Sequence, residues 1–174
     1  MATSASQLKG DARLAGLSLV PADPGRAARA IGASILGVTA FILLLDAAFR
    51  SSLEPGYVQF FTGPLWPRTG LVESRAAVEE VQFRLLLMSA LVLLGSLRNG
   101  RAPGWWIVAA ILLSQFANVG TLVISDPLYA SLRYWAVGCV WGWLYWKHGW
   151  LSALLGHTAT HLILDPALLV LLSH

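Results

Sequence analysis

Two adjacent glutamates and an arginine stand at the head of a very apolar run, AVEEVQFRLLL over residues 77–87. On a helix, Glu80 and Arg84 lie four residues apart on one face and can pair. Glu79 is turned by about 100° from Glu80 and by about 140° from Arg84 at 3.6 residues per turn. That spacing neutralises one carboxylate and leaves the other free, and a free carboxylate in a low-dielectric cavity can act as a general base. The plainer use of the two acids is to cap a helix N-terminus, which does not account for an arginine a full turn deeper. A second polar stretch is GHTATHLILD, where His157, His161 and Asp165 follow i, i+4, i+8 and share a face. Such a ladder either hydrogen-bonds neighbouring helices or supplies two imidazoles and a carboxylate to zinc or iron. The HExxH spacing is absent, and the other two histidines are His148 and His174. No cofactor is therefore favoured, and a divalent metal on His157, His161 and Asp165 is the alternative. A third stretch, SQFANVG, offers Gln115 and Asn118 beside Phe116, either as bonds between helices or as the lining of a cavity; Phe116, Asn118 and Asp165 are the candidates to line a substrate cavity.

The elements that must position these groups are hydrophobic. The chain has 174 residues, 56% hydrophobic and only 12% charged, with a mean hydropathy of +0.64. A soluble domain carries about 25% charged residues, so the composition points to an all-α, polytopic membrane protein. Five apolar runs are long enough to span: about 28–49, 72–97, 103–124, 128–146 and 150–172. They imply a tail over residues 1–27, with a short interfacial helix near Leu14 to Val20, and a transmembrane domain over 28–174. The tail has no continuous apolar segment of the kind a signal peptide needs. Lys9, Arg13, Arg26, Arg29, Arg98, Arg101 and Lys147 fall on one side of this arrangement, with Arg50, Arg68 and Arg75 on the other. The bias places the N-terminus in the cytoplasm and the C-terminus outside. Asp46 falls at the far interface of the first run. The net charge of +3 and the lack of basic–aromatic interleaving argue against nucleic acid as a partner. A single cysteine, Cys139, allows no internal disulfide.

The run Glu79-Glu80-Val-Gln-Phe83-Arg84 resembles the EExxxR motif, in its EExxFR form, of the CPBP intramembrane proteases. These are the CAAX prenyl endopeptidase and bacteriocin-processing relatives, also called ABI or glutamic-type proteases. Residues 142–161, GWLYWKHGWLSALLGHTATH, are similar to the family's last motif, HxxxN, with His157 at the histidine position and His161 at the asparagine position. The resemblance covers about residues 72–172. It implies a four-helix catalytic core preceded by an N-terminal span, in the inner membrane of a bacterium. The activity implied is hydrolysis of peptide bonds in membrane-associated or C-terminally anchored substrates, with lipid and a membrane-anchored protein or peptide as partners. Glu79 would activate water, Glu80 and Arg84 would form a structural pair, and His157 and His161 would donate to the oxyanion. The family's middle motif is FxxxH. Here Phe116 is followed, four residues on, by Gly120, so a catalytically silent binding, immunity or assembly protein is the competing expectation. No GxSxG nucleophile motif is present, which argues against a serine protease.

The depth of each group can be counted from the basic residues at the cytoplasmic turns. At about 1.5 Å per residue, Glu79 lies about 28 Å from Arg98, whereas His161 lies about 21 Å and His157 about 15 Å from Lys147. Straight helices would bring His161, not His157, towards Glu79, in place of the histidine missing at Gly120.

Overall fold

The computed structural model describes residues 13–14, 17–97, 99–122 and 126–173. The first twelve tail residues, Arg98, the expected end of the third run and His174 lie outside them. The described chain is all-helical apart from one two-residue ladder. Strands β1 (Arg13–Leu14) and β2 (Leu17–Ser18) pair antiparallel, Leu14 opposite Leu17. A two-stranded ladder thus stands where an interfacial helix is expected. Leu17 is buried in the core, and just past β2 the Leu19 carbonyl accepts from the Leu151 N–H at 2.9 Å, which ties the segment down.

Helix α1 (Pro24–Ala48) starts at Asp23, whose carboxylate accepts the Arg26 backbone N–H at 2.9 Å. That bond holds the Asp23 carboxyl below its ordinary pKa. A single 3₁₀ turn and α2 (Pro55–Thr62) follow. A continuous helical rod over 65–96 comes next, in three parts: α3 (Leu65–Glu79), a segment of wide π-type turns (Glu80–Met88) and α4 (Ser89–Ser96). Helix α5 is Gly104–Val119. The short α6 (Pro127–Ala130) passes through a second wide-turned segment (Ser131–Ala136) into α7 (Val137–His148). Helix α8 (Trp150–Leu172) matches the expected last run in both bounds. The two wide-turned segments carry two of the three buried arginines among the described residues, Arg84 and Arg133; the third, Arg68, is on α3. Wide turns displace residues from the α-helical register and recur at functional sites.

Helix α8 packs against α1, α2, α3 and α7, and α5 packs against α7 and the Glu80–Met88 segment. Small residues let these backbones approach. A Cβ on Gly138 would fall 2.0 Å from the Gln115 side chain, and one on Gly142 would fall 2.8 Å from Ile111. Gly149, at φ 90°, turns the chain from α7 into α8, and a Cβ there would meet the Val20 backbone at 2.9 Å. The core gathers Met88, Val92, Trp141, Leu144, Ala153, Leu164 and Leu168. Helices α1 and α8 are long and apolar enough to cross a bilayer, and α5 is a shorter apolar helix. Around this core the usual polarity is inverted. Asp46, Glu80, Arg84, Gln115 and Asp165 are buried, while Leu36, Leu44, Leu86, Leu113, Leu162 and Val170 are exposed.

Candidate active site

Glu80 is the buried hub. Its Oε1 meets Arg84 Nε at 3.5 Å and His157 Nδ1 at 3.0 Å, and its backbone carbonyl accepts from Trp150 Nε1 at 3.1 Å. Arg84 extends the network: its Nη2 donates to Gln115 Oε1 at 2.5 Å and to the Gly138 carbonyl at 3.0 Å. The Gln115 amide nitrogen then donates to the Tyr134 carbonyl at 3.1 Å. The i, i+4 pairing of Glu80 with Arg84 is as the spacing predicts. A carboxylate paired with an arginine is ionised and can only accept, so His157 carries its proton on Nδ1. That leaves Nε2 of the neutral ring as an acceptor, which suits holding a water better than donating to an oxyanion. Trp141 stacks on the ring at 5.4 Å and 16°, fixing its plane.

Glu79 points a different way and is not free. Its Oε1 accepts from Arg75 Nε at 2.9 Å and its Oε2 from Asn118 Nδ2 at 3.3 Å. Arg75 and Glu79 are themselves four apart, the same spacing that pairs Glu80 with Arg84. Glu79, Asn118, His157 and His161 all line one cavity of about 360 Å³, together with Arg75, Arg84, Thr160 and Trp141. Three helical elements distant in sequence thus deliver a carboxylate, an amide and two imidazoles to one space.

The glutamate pair is met by His157, through Glu80, and not by His161, which overturns the depth count. His161 turns to Asp165, Nδ1 to Oδ1 at 3.4 Å, with its ring 5.5 Å from that of His157. Two features break the count. Residues 17–20 pack on the α7–α8 turn, so Lys147 does not mark a free edge from which to count. The rod's wide turns also advance less per residue than α turns. Glu80 is consequently bracketed by the first residue of α8, Trp150, and by His157 two turns later.

Two cavity candidates are corrected. Phe116 is 72% exposed and does not line the cavity; its helix turns Gln115 and Asn118 inward, and Phe116, between them in sequence, faces away. Asp165 is fully buried behind His161 and does not reach the cavity either. Gly120 closes α5 as its C-cap. As for a metal, the Nδ1 atoms of His157 and His161 and the Oδ1 of Asp165 are used on one another or on Glu80, and among the described residues no three His, Cys, Asp or Glu side chains are gathered to hold an ion.

No family model, curated protein or solved structure matches the chain.

A second buried network went unread in the sequence. Asp46 is fully buried. Its Oδ1 accepts from Arg133 Nη1 at 2.8 Å and from the Tyr129 hydroxyl at 2.8 Å, and its Oδ2 accepts from the Tyr57 hydroxyl. The Arg133 guanidinium lies 5.0 Å from the Tyr57 ring centre. Arg133 and Tyr57 also line the cavity, so this network reaches the same space as the histidines.

Proposed function

We propose that this chain is an intramembrane endopeptidase of the CPBP type. It would be a five-span bundle in a bacterial inner membrane, N-terminus cytoplasmic, with α1 preceding a four-helix core. The inverted polarity supports the membrane setting: apolar side chains outside and ionised ones inside are what lipid selects. The observation that carries the activity is the single cavity of about 360 Å³ lined by Glu79, Asn118, His157 and His161. Ionisable groups converging in a bundle interior mark a site by default.

In this reading water sits between the Glu79 carboxylate and His157 Nε2, two acceptors in one cavity. Glu79 takes its proton as the oxygen attacks a peptide carbonyl. Asn118, with a second N–H beyond the one given to Glu79, is placed to donate to the carbonyl oxygen. Glu80 and Arg84 hold His157 in one tautomer and plane, as the third member of a triad does. Substrates are membrane-associated or C-terminally anchored peptides, because the groups open onto an apolar, lipid-flanked space.

The silent binding protein is favoured by one arrangement: Glu79 is held by Arg75 in a chain that has Gly120 at the family's histidine position. Purified protein reconstituted with single-span test peptides separates the two. New peptide termini in the mass spectrum support the protease, whereas peptide binding with no new termini supports the silent protein.

A further inference from the structure

Most residues lining the cavity are buried or half-buried, but Phe60, Leu71 and Arg75 are exposed. They stand on α2 and α3 and mark the mouth. Two of the three are large and apolar, and Arg75 is the charged one. Its Nε is held by Glu79 Oε1 at 2.9 Å, while its two terminal nitrogens have no partner among the described residues.

The other charges leave Arg75 as the group that can meet an occupant. Three arginines and one carboxylate line the cavity: Arg75, Arg84, Arg133 and Glu79. Arg84 and Arg133 are buried and turned to Glu80 and Asp46, neither of which lines it. Arg68, also on α3, is buried and has no carboxylate partner among the described residues. It does not line the cavity, and it gives Nη1 to the Gly63 carbonyl at 2.7 Å and Nη2 to the Asp165 backbone carbonyl at 3.3 Å. Its charge adds to the positive side and offsets nothing. Glu73, two residues before Arg75, makes no ion pair with it among the described residues. The walls therefore favour an anionic group over a cationic one.

A guanidinium presents five N–H donors in a rigid fork that fits a carboxylate through two parallel bonds. With Nε on Glu79, the edge formed by Nη1 and Nη2 is left for a second carboxylate, and the Glu79 contact fixes where that edge points. Resting on the protease reading, we propose that the cleaved segment carries a carboxylate and that this edge of Arg75 binds it, setting the scissile bond beside Glu79. The carboxylate is an acidic side chain next to that bond or the C-terminal α-carboxylate of a short trimmed end. Phe60 and Leu71 take the apolar flanks of the segment. Arg75 is thereby the residue that sets specificity, and a lysine or arginine at the same substrate position is rejected.

The test uses full-length protein in nanodiscs of uncharged lipid and pairs of single-span peptides. One set carries Glu or Gln at successive positions around the cleaved bond. The other ends just past that bond in a free carboxylate or a carboxamide. In the wild type one pair should favour the carboxylate by about 5-fold in kcat/KM, the upper range for a single exposed ion pair. Preference for Glu assigns the side chain, and preference for the free terminus assigns the α-carboxylate. Arg75→Gln should bring the ratio to near unity, and Arg75→Lys, which keeps the charge but loses the fork, should fall between. A wild type without preference in any pair overturns the proposal whether or not the variants fold. A preference that survives Arg75→Gln overturns it too, since a role confined to holding Glu79 slows both members of a pair equally. Activity that ignores the carboxylate but needs anionic lipid, and loses that need in Arg75→Gln, gives the edge to a lipid phosphate and overturns the proposal. If the wild type cleaves no peptide, the protease reading fails, while the same ratios measured as peptide binding by fluorescence anisotropy still decide whether Arg75 selects a carboxylate.

Discussion

Replacing Arg84 by methionine tests whether the buried hub is held by charge. Arg84 and Glu80 side chains are 2% and 0% exposed, so no solvent replaces the lost guanidinium. The substitution strands an ionised Glu80 with only a neutral imidazole and removes the donor from Gln115 Oε1 and from the Gly138 carbonyl. Breaking a buried ion pair from one side costs about 3–5 kcal/mol. By soluble-protein scaling for this size, about 2–4 °C per kcal/mol, that is a fall in Tm of about 6–20 °C. Removing both charges, with Glu80→Gln added, leaves no orphan ion and should cost less than the sum of the single changes, with a coupling of about 0.5–3 kcal/mol. The assay is thermal unfolding of the purified protein in one detergent across the four members of the cycle. An Arg84→Met cost below about 1 kcal/mol, the range of exposed pairs, or strict additivity, would refute the charge-held hub.

Arg75→Gln is the matched control: Arg75 is 59% exposed and also four residues from a glutamate, so thermal unfolding should register about 1 kcal/mol or less. Gly138→Ala drives a Cβ into the Gln115 side chain and should cost about 1–3 kcal/mol by overpacking, read in the same unfolding assay; no loss would mean the α5–α7 approach is looser than described. Asp46→Asn weakens the pair with Arg133 and should destabilise strongly, towards the about 3–5 kcal/mol of a broken buried pair, with protein yield in the membrane fraction as a second readout. Reporter fusions at Ala102 and Ser173 should report opposite compartments, and the same compartment for both contradicts the five-span topology.

Much of the helical layout was legible because apolar runs are local signals, and the bounds of α8 fell where the apolar run placed them. Helix α1 starts at Pro24, inside the expected tail, because the Asp23 cap and Pro24 extend it past the apolar run. The Glu80–Arg84 and His161–Asp165 contacts were legible for the same reason, since i, i+4 neighbours meet on any helix. What escaped was non-local. Asp46 and Arg133 are 87 residues apart, and nothing in either local sequence names the other. The wide turns at Glu80–Met88 carry no distinct periodicity, yet they and the 17–20 segment set the depth at which Glu80 meets His157. Phe116 was misplaced because a motif gives spacing but not facing: Gln115 and Asn118 decide which side of α5 turns inward.

Whether Glu79 activates water inside the bundle is decided by proteoliposomes of wild type and Glu79→Gln bearing the same single-span peptide. Glu79 lines the cavity and is held by Arg75 and Asn118 rather than packed in the core, so the variant should insert and unfold like the wild type. Its cleavage rate should fall by about 10²–10⁴-fold, the usual worth of a general base. A folded Glu79→Gln protein that cleaves at the wild-type rate would contradict the claim.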